Sequence, residues 1–412
     1  MSAAAAPRSF GALRHPGFRV FFICTWLAMT ADVIEHVISY YVVFQKFHSP
    51  ALGGIAVVSH WVPFLTLAVY TGGLAERFDI RRIIQAGMLL FIGVSLAWSW
   101  VFLSGNAQVW HAVVLLVLHG LAGVLWGPAS QLLLYEIVPR EEMQSAVRLG
   151  STARYLGMLV GPGIGGVLFL ALGPVQGILV NALIYVPMVV WLWRAPYGPR
   201  FTPRAAAAQA AVRGFGEAIA TLKVIRDNPI LLSMTLLAGA ASMLVGNAYQ
   251  AQMPGFALDL GHGEQSVAYS ALLSADALGA LTAGIVLESR GLLAARPRTA
   301  FILALIWCVA LGCFALAHQY LIVLALLAIA GFVELSFNSM AQALVQLNAP
   351  VAARPRVIGV FTMASSGMRL FSGLTIGVAG SLIGIHWSLA LSTGVLFVLA
   401  CVLMQRFAPA RA

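Results

Sequence analysis

GGLAERFDIRR, from Gly72 to Arg82, sets five charged side chains (Glu76, Arg77, Asp79, Arg81 and Arg82) in a chain of which only 9% of residues are charged. Apolar runs flank it on both sides, the first ending near Tyr70 and the second opening at Ile83. A charge-dense hairpin led by a glycine pair, Gly72 and Gly73, and strung between two membrane-length helices reads as the hinge loop of a membrane transporter. A soluble protein would have little reason to place it there.

Composition extends that reading to the whole chain. The 412 residues are 60% hydrophobic, with mean hydropathy +0.91, far above a soluble globular chain. A bilayer core of ~30 Å asks for ~20 apolar residues per helix. About twelve such segments occur, at 18–44, 53–75, 83–104, 109–136, 145–170, 174–194, 229–256, 265–289, 298–317, 320–347, 357–383 and 386–406. Strand-type alternation is absent, which excludes a β-barrel. The expected fold is an all-α membrane protein of twelve transmembrane helices.

A formal charge of +10 could point to nucleic acid, but its distribution does not. With the N-terminus in the cytoplasm, nearly every Lys and Arg falls on the cytoplasmic side, from Arg8, Arg14 and Arg19 to Arg406 and Arg411. Lys46 is the exception outside, while Arg154 and Arg369 lie within spans. That asymmetry is the positive-inside rule and places both termini inside, in a bacterial-type cell (inner) membrane. Anionic lipid headgroups, not nucleic acid, are the natural partner of the basic loops. The first apolar segment is too long for a signal-peptide core and is expected to be retained. Cys24, Cys308, Cys313 and Cys401 sit in spans without ligand-like spacing and read as free thiols.

The interval 195–228 interrupts the hydrophobic rhythm and divides the chain into bundles at 1–194 and 229–412. Its second part has helical periodicity, with Phe215, Ile219, Leu222 and Ile225 on one face, as in an amphipathic helix on a membrane surface. The halves echo each other at an offset of about 211–212 residues: TGGLAER (71–77) against TAGIVLESR (282–290), Gly120 against Gly331, and Gly161 and Gly165 against Gly373 and Gly377. Parallel six-span halves are one of the recurring transporter architectures.

Two segments carry a family resemblance. GGLAERFDIRR resembles the loop motif between spans two and three of the major facilitator superfamily, and its Phe-Asp version is similar to the siderophore- and drug-exporter branch. GMLVGPGIGG, Gly157 to Gly166, resembles that superfamily's exporter motif in span five. Glu76 stands where Asp is commoner, and the second-half copy lacks most of its basic cluster, so the loop latch is expected to be lopsided. The resemblance implies a major facilitator fold with spans one, four, seven and ten lining the cavity. On physical grounds alone, Gly157, Gly161 and Gly165 share a helix face that permits close backbone approach. Pro162 removes an internal hydrogen bond, and Gly166 closes the motif.

Ionisable residues within spans cost ~2.5 kcal/mol or more unless paired or wet. They are Asp32, Glu35 and His36 in span one, His60 in span two, His119 in span four, Arg154 in span five, Asp276 in span eight, Glu334 in span ten and Arg369 in span eleven. Similar depths predict an Arg369–Glu334 ion pair and neutralisation of Arg154 by Asp276 or Asp32. Glu334, Asn338, Gln342 and Gln346 form a polar stripe on span ten, expected to line the pathway. Asn247, Tyr249, Gln250 and Gln252 add polar groups on span seven, as Trp126, Gln131 and Tyr135 do on span four. Apolar walls with a few polar groups suit a lipophilic or amphipathic solute.

Asp32, Glu35 and His36 share one face of span one, an arrangement suited to a proton site with histidine as relay. The same trio offers O, O and N ligands to a borderline divalent ion, and a plain structural role is the third option. The adopted expectation is a proton-coupled antiporter, monomeric and without cofactor or resident metal, exporting drug- or siderophore-like small molecules by alternating access. A divalent-metal or metal-chelate exporter and a lysolipid flippase are the alternatives. No nucleophile or metal constellation suggests an enzyme, and no filter-like loop suggests a channel.

Overall fold

The computed structural model describes residues 10–47, 50–198, 215–246, 248–261 and 266–408. Residues 199–214 of the expected linker, and Asn247 of the expected cavity set, lie outside them. Secondary structure among the described residues is helical. Among the described residues, ten stretches are long and apolar enough to cross a membrane, and one of them, Arg140–Arg194, has 55 residues. At ~1.5 Å rise per residue that stretch is long enough for two crossings.

The first bundle consists of span one (Pro16–Phe47), span two (Pro50–Arg77), span three (Ile80–Leu103) and span four (Val109–Ile137), followed by span five (143–172) and span six (174–194). Gly173 separates the last two with φ 76° and ψ 174°, a conformation that L side chains avoid. A surface helix, Phe215–Asp227, precedes the second bundle. Ile225 of that helix is buried while Ile219 and Leu222 are exposed, so its apolar face is only partly covered by protein.

In the second bundle, span eight (Ser266–Ser289), span nine (Pro297–Leu316), span ten (Tyr320–Asn348) and span twelve (Ile385–Phe407) are continuous. Spans seven and eleven are not, although each reads as a single apolar run. Span seven is helical over Pro229–Leu244, breaks at Val245 and Gly246, and resumes as the short helices Ala248–Ala251 and Met253–Asp259. Span eleven (354–383) contains two π-helical stretches, Met363–Gly367 and Gly373–Val378, with Arg369–Ser372 between them. Hydrophobicity reports membrane depth and is blind to such local changes of winding, which tend to occur at functional sites.

Neighbours recur between the halves. Spans two and four pack together, as do eight and ten; three and four match nine and ten; one and five match seven and eleven. The halves meet mainly where span two packs on span eleven and where span five packs on spans eight and ten. The largest first-half core cluster also takes in Ala343 and Ile358 from the second half.

Span one packs on span five through the glycine stripe. A Cβ at Gly157 would lie 2.8 Å from Thr30 N, one at Gly161 would lie 2.6 Å from Val33 Cβ, and one at Gly165 would lie 3.3 Å from Ile34 Cα. Gly166 faces open space. Gly120 and Gly331 do the same work at equivalent places. Their Cβ atoms would meet the His60 carbonyl at 2.2 Å and the Asp276 carbonyl at 1.9 Å. Each glycine therefore lets a neighbouring span bring an ionisable residue close.

Candidate functional site

The intramembrane acids and histidines gather in two clusters, one per half. In the first, His119 of span four lies between the two acids of span one, with Nε2 2.7 Å from Asp32 Oδ1 and Nδ1 2.8 Å from Glu35 Oε1. Each contact needs one hydrogen, and neutral imidazole supplies only one N–H. The triad therefore holds one proton beyond a neutral histidine and two carboxylates. Ser95 of span three donates to Glu35 Oε2 at 2.5 Å, and Asn181 of span six donates to Ser95 at 3.4 Å. Exposure falls across the triad, from 16% at the Asp32 side chain to 2% at Glu35 and 1% at His119. Asp32 is thus the most accessible member of the triad.

His36 leans on the same group. Its Nδ1 lies 2.7 Å from the Asp32 carbonyl oxygen, which can only accept, so Nδ1 carries hydrogen. Its Nε2 lies 3.3 Å from His60 Nδ1. His36, His60 and His119 place nitrogens within 4.8 Å of one another, a spacing that a divalent ion could accept. Hydrogen bonds to acids and to a carbonyl already occupy both nitrogens of His119 and one of His36, so the arrangement fits a proton network better than a ligand set. His60 and His119 are recognisable in the sequence as intramembrane ionisable residues. Only tertiary packing shows that His119 joins the two acids.

The second cluster centres on Tyr249 of span seven. Its hydroxyl is 3.2 Å from Asp276 Oδ2 and 3.1 Å from Glu334 Oε2, and Gln250 donates to Asp276 at 3.0 Å. Tyr155 of span five is within electrostatic reach of Glu334. One hydroxyl proton cannot serve two carboxylates, so here too a carboxyl must carry hydrogen for every contact to be made. Neither Asp276 nor Glu334 forms the expected ion pair with Arg369 or Arg154. No ion pair within 4.0 Å joins Arg369 to Glu334; Arg369 lies 5.1 Å over the Trp61 ring, with its Nε buried and without a partner. Arg154 reaches neither Asp276 nor Asp32, and touches Ser151 and Gln342 at 3.4 Å. Depth along a helix fixes height but not azimuth, and the hydroxyl of Tyr249 stands where the arginines were expected.

The span-ten stripe divides among partners. Glu334 meets Tyr249, Gln342 meets Arg154, Gln346 donates to Gln131 at 3.2 Å, and Asn338 is half-buried. Gln131 and Tyr135 belong to the seam between halves and not to an open wall. Gln131 donates to Thr362, and the Tyr135 hydroxyl donates to the Gln346 carbonyl at 2.5 Å. Trp126 is buried in the first-half core against Phe91.

The end of the molecule carrying the 72–82 loop is closed. Glu76 accepts from Arg356 Nε of span eleven at 2.8 Å, and Arg148 Nη1 of span five lies 3.2 Å from Glu288 Oε2 of span eight. Ser145 also bonds Glu288. The expected lopsided latch is therefore corrected: each half contributes one acid and one arginine, Glu76 and Arg148 from the first and Glu288 and Arg356 from the second. Within the loop, Asp79 caps span three and pairs with Arg81 at 2.7 Å. Burial acts to raise the Asp79 carboxyl, but hydrogen bonds from the Arg81 side chain and amide outweigh it and hold it below the usual carboxylate range. Arg81 also donates to the Ala195 carbonyl, while Arg82 bonds Gln85 and Arg77 is exposed. A Cβ on Gly73 would meet only Arg356 Cγ, at 3.9 Å.

Two six-span bundles, paired ionisable clusters and a charged seam at one end define a transporter rather than an enzyme. The chain belongs to the Major Facilitator Superfamily, whose family model matches residues 21–366. Over 120 residues it is 29% identical to a putative multidrug resistance protein MdtD of Citrobacter koseri and 32% identical to that of Salmonella paratyphi B. Each match covers 29% of this chain and 24% of the relative, about a quarter of its length. The fold is similar to that of the human organic anion transporter MFSD10, with TM-score 0.73 and 14% identity, covering 95% of this chain and 100% of that one. It is also similar to the Escherichia coli fucose:proton symporter FucP, with TM-score 0.70 and 12% identity, covering 94% and 98%.

Proposed function

We propose that this protein is a proton-coupled exporter of lipophilic or amphipathic small molecules, working by alternating access between bundles 1–194 and 229–412. The observation that carries the reading is His119 bridging Asp32 and Glu35 through both ring nitrogens. Such a bridge stores one proton beside a partly accessible carboxylate, and losing that proton removes one of the two contacts. Protonation is thereby tied to packing between spans one and four. The Asp276–Tyr249–Glu334 group offers a second exchangeable proton in the other half. The distant relatives carry multidrug-resistance names, which supports a drug-like cargo and outward direction.

The excess of Lys and Arg on the loops at the 72–82 end supports a cytoplasmic position for that end. On that orientation the closed seam at Glu76–Arg356 and Arg148–Glu288 corresponds to an outward-facing conformation. Reconstitution into proteoliposomes tests the coupling. An imposed pH gradient is expected to drive dye flux in the parent chain, and His119→Gln, Asp32→Asn and Glu35→Gln are expected to lose that response. Flux indifferent to the gradient in the parent would remove proton coupling; a response preserved in all three variants would remove this triad from it.

A further inference from the structure

Arg154 and Arg369 belong to neither hydrogen-bonded cluster. They come from opposite halves, on spans five and eleven, and neither has a carboxylate within ion-pair distance among the described residues. Arg154 has only two long contacts, to Ser151 and Gln342 at 3.4 Å. Arg369 has the Trp61 face and an Nε that is buried with no acceptor. The two guanidiniums are near enough to repel each other. Arg369 is also within electrostatic reach of His60 and Glu334, which puts it where the halves meet. A cation left unpaired at membrane depth is costly, and two within electrostatic reach of each other cost more. Neither is needed to satisfy the acids, which have found hydroxyl and imidazole partners.

The winding of span eleven points the same way. Arg369 begins the four-residue α-helical piece between two π-helical stretches, Met363–Gly367 and Gly373–Val378. Wider winding on both sides sets this arginine at an angle that a regular helix would not give it. Beside it, Trp61 lies 5.2 Å from Phe64, and both rings are half-buried. The neighbourhood therefore has a cationic pair next to an aromatic wall.

We propose that Arg154 and Arg369 together bind the anionic head of an amphipathic substrate, a carboxylate or sulfonate, whose apolar body lies along Trp61 and Phe64. Arginine suits this task because its planar fork of donors matches a carboxylate in two parallel bonds. An anion held between the arginines neutralises the repulsion across the halves and supplies the acceptor that Arg369 Nε lacks. The assignment rests on the transporter reading and names the substrate class for it.

The test uses the full chain in neutral phosphatidylcholine nanodiscs, titrated with 11-(dansylamino)undecanoate and with its methyl ester, followed by dansyl emission. The acid is expected to bind saturably and about tenfold more tightly than the ester, as a charge-assisted pair requires. Arg154→Gln and Arg369→Gln should each abolish that preference, and Arg369→Lys should keep part of it. Equal binding of acid and ester by the parent, or an undiminished preference in both Gln variants, would overturn the proposal. Where a Gln variant does not fold, the parent acid–ester comparison and the Lys variant decide. Adding phosphatidylglycerol to the discs separates two sources of the anion: competition identifies a lipid headgroup, and unchanged binding identifies a free organic anion. Failure of the transporter reading has a different signature, because the acid would still bind selectively while neither it nor a cationic dye crossed a proteoliposome membrane.

Discussion

Glu76, at the end of span two, accepts a 2.8 Å hydrogen bond from Arg356 Nε at the start of span eleven, so this acid of the first-half loop motif is fastened to the second half. Its counterpart, Arg148 to Glu288 at 3.2 Å, joins span five to span eight with the charges exchanged between halves. Both side chains of each pair are at least four-fifths buried. Breaking such a pair leaves an uncompensated charge.

The first prediction concerns this seam. Glu76→Gln and Glu288→Gln should each shift the population toward a conformation open at the loop end, and the double variant should shift it further. A charge-assisted hydrogen bond of this kind contributes about 1.5–3 kcal/mol, enough to change a two-state ratio by roughly tenfold or more. Spin labels on Glu141→Cys and Val351→Cys, in a background free of native cysteines, report the distance. An unchanged distance distribution in the double variant would mean that the seam does not hold the closed state.

Steric fit gives a second, charge-free route to the same motion. A Cβ at Gly359 would lie 2.6 Å from the Ala68 carbonyl of span two. Backbone cannot rotate away as a side chain can, so Gly359→Ala should separate spans two and eleven while leaving Glu76 and Arg356 in place. The same labelled pair should then show the longer distance.

Gly331→Ala should act on the fold and not on the opening motion. Its Cβ would meet the Asp276 carbonyl at 1.9 Å, inside the second bundle. Overpacking of this type costs about 1–3 kcal/mol, visible as a lower thermal midpoint in detergent with the label distance unchanged. Gly120→Ala, against the His60 carbonyl at 2.2 Å, should behave alike in the first bundle.

Asp79 predicts a pH dependence outside the membrane. A carboxyl held below its unfolded value stabilises the fold above that value, about 3.9 for Asp, and loses its contribution as pH falls through the folded one. Asp79→Ala also removes the cap of span three, worth about 1 kcal/mol. The variant should melt earlier than the parent at pH 7, and the gap should narrow as pH is lowered from 5 toward 3. A gap constant across that range would show that Asp79 contributes nothing through its charge.

Particular residues show where sequence was sufficient and where it was not. Membrane character, span count, the internal repeat at Gly120 and Gly331 and the loop motif follow from hydrophobicity and spacing, which are properties of the chain itself. The glycine stripe at Gly157, Gly161 and Gly165 belongs with them, since helical periodicity alone puts these residues on one face. Partnership does not follow in the same way. Asp32 and Glu35 were legible as a pair, but His119, 84 residues beyond Glu35, joins them only when spans one and four pack. Arg369 and Glu334 lie at similar depth and still do not pair, because the rotation of each helix about its axis is set by its neighbours. The breaks in span seven and the π turns in span eleven are equally unreadable from apolar runs. The sequence by itself determined which helices enter the membrane and which of them carry charge; tertiary structure decided which charges meet, since contacts between helices depend on azimuth and winding that no one-dimensional pattern encodes.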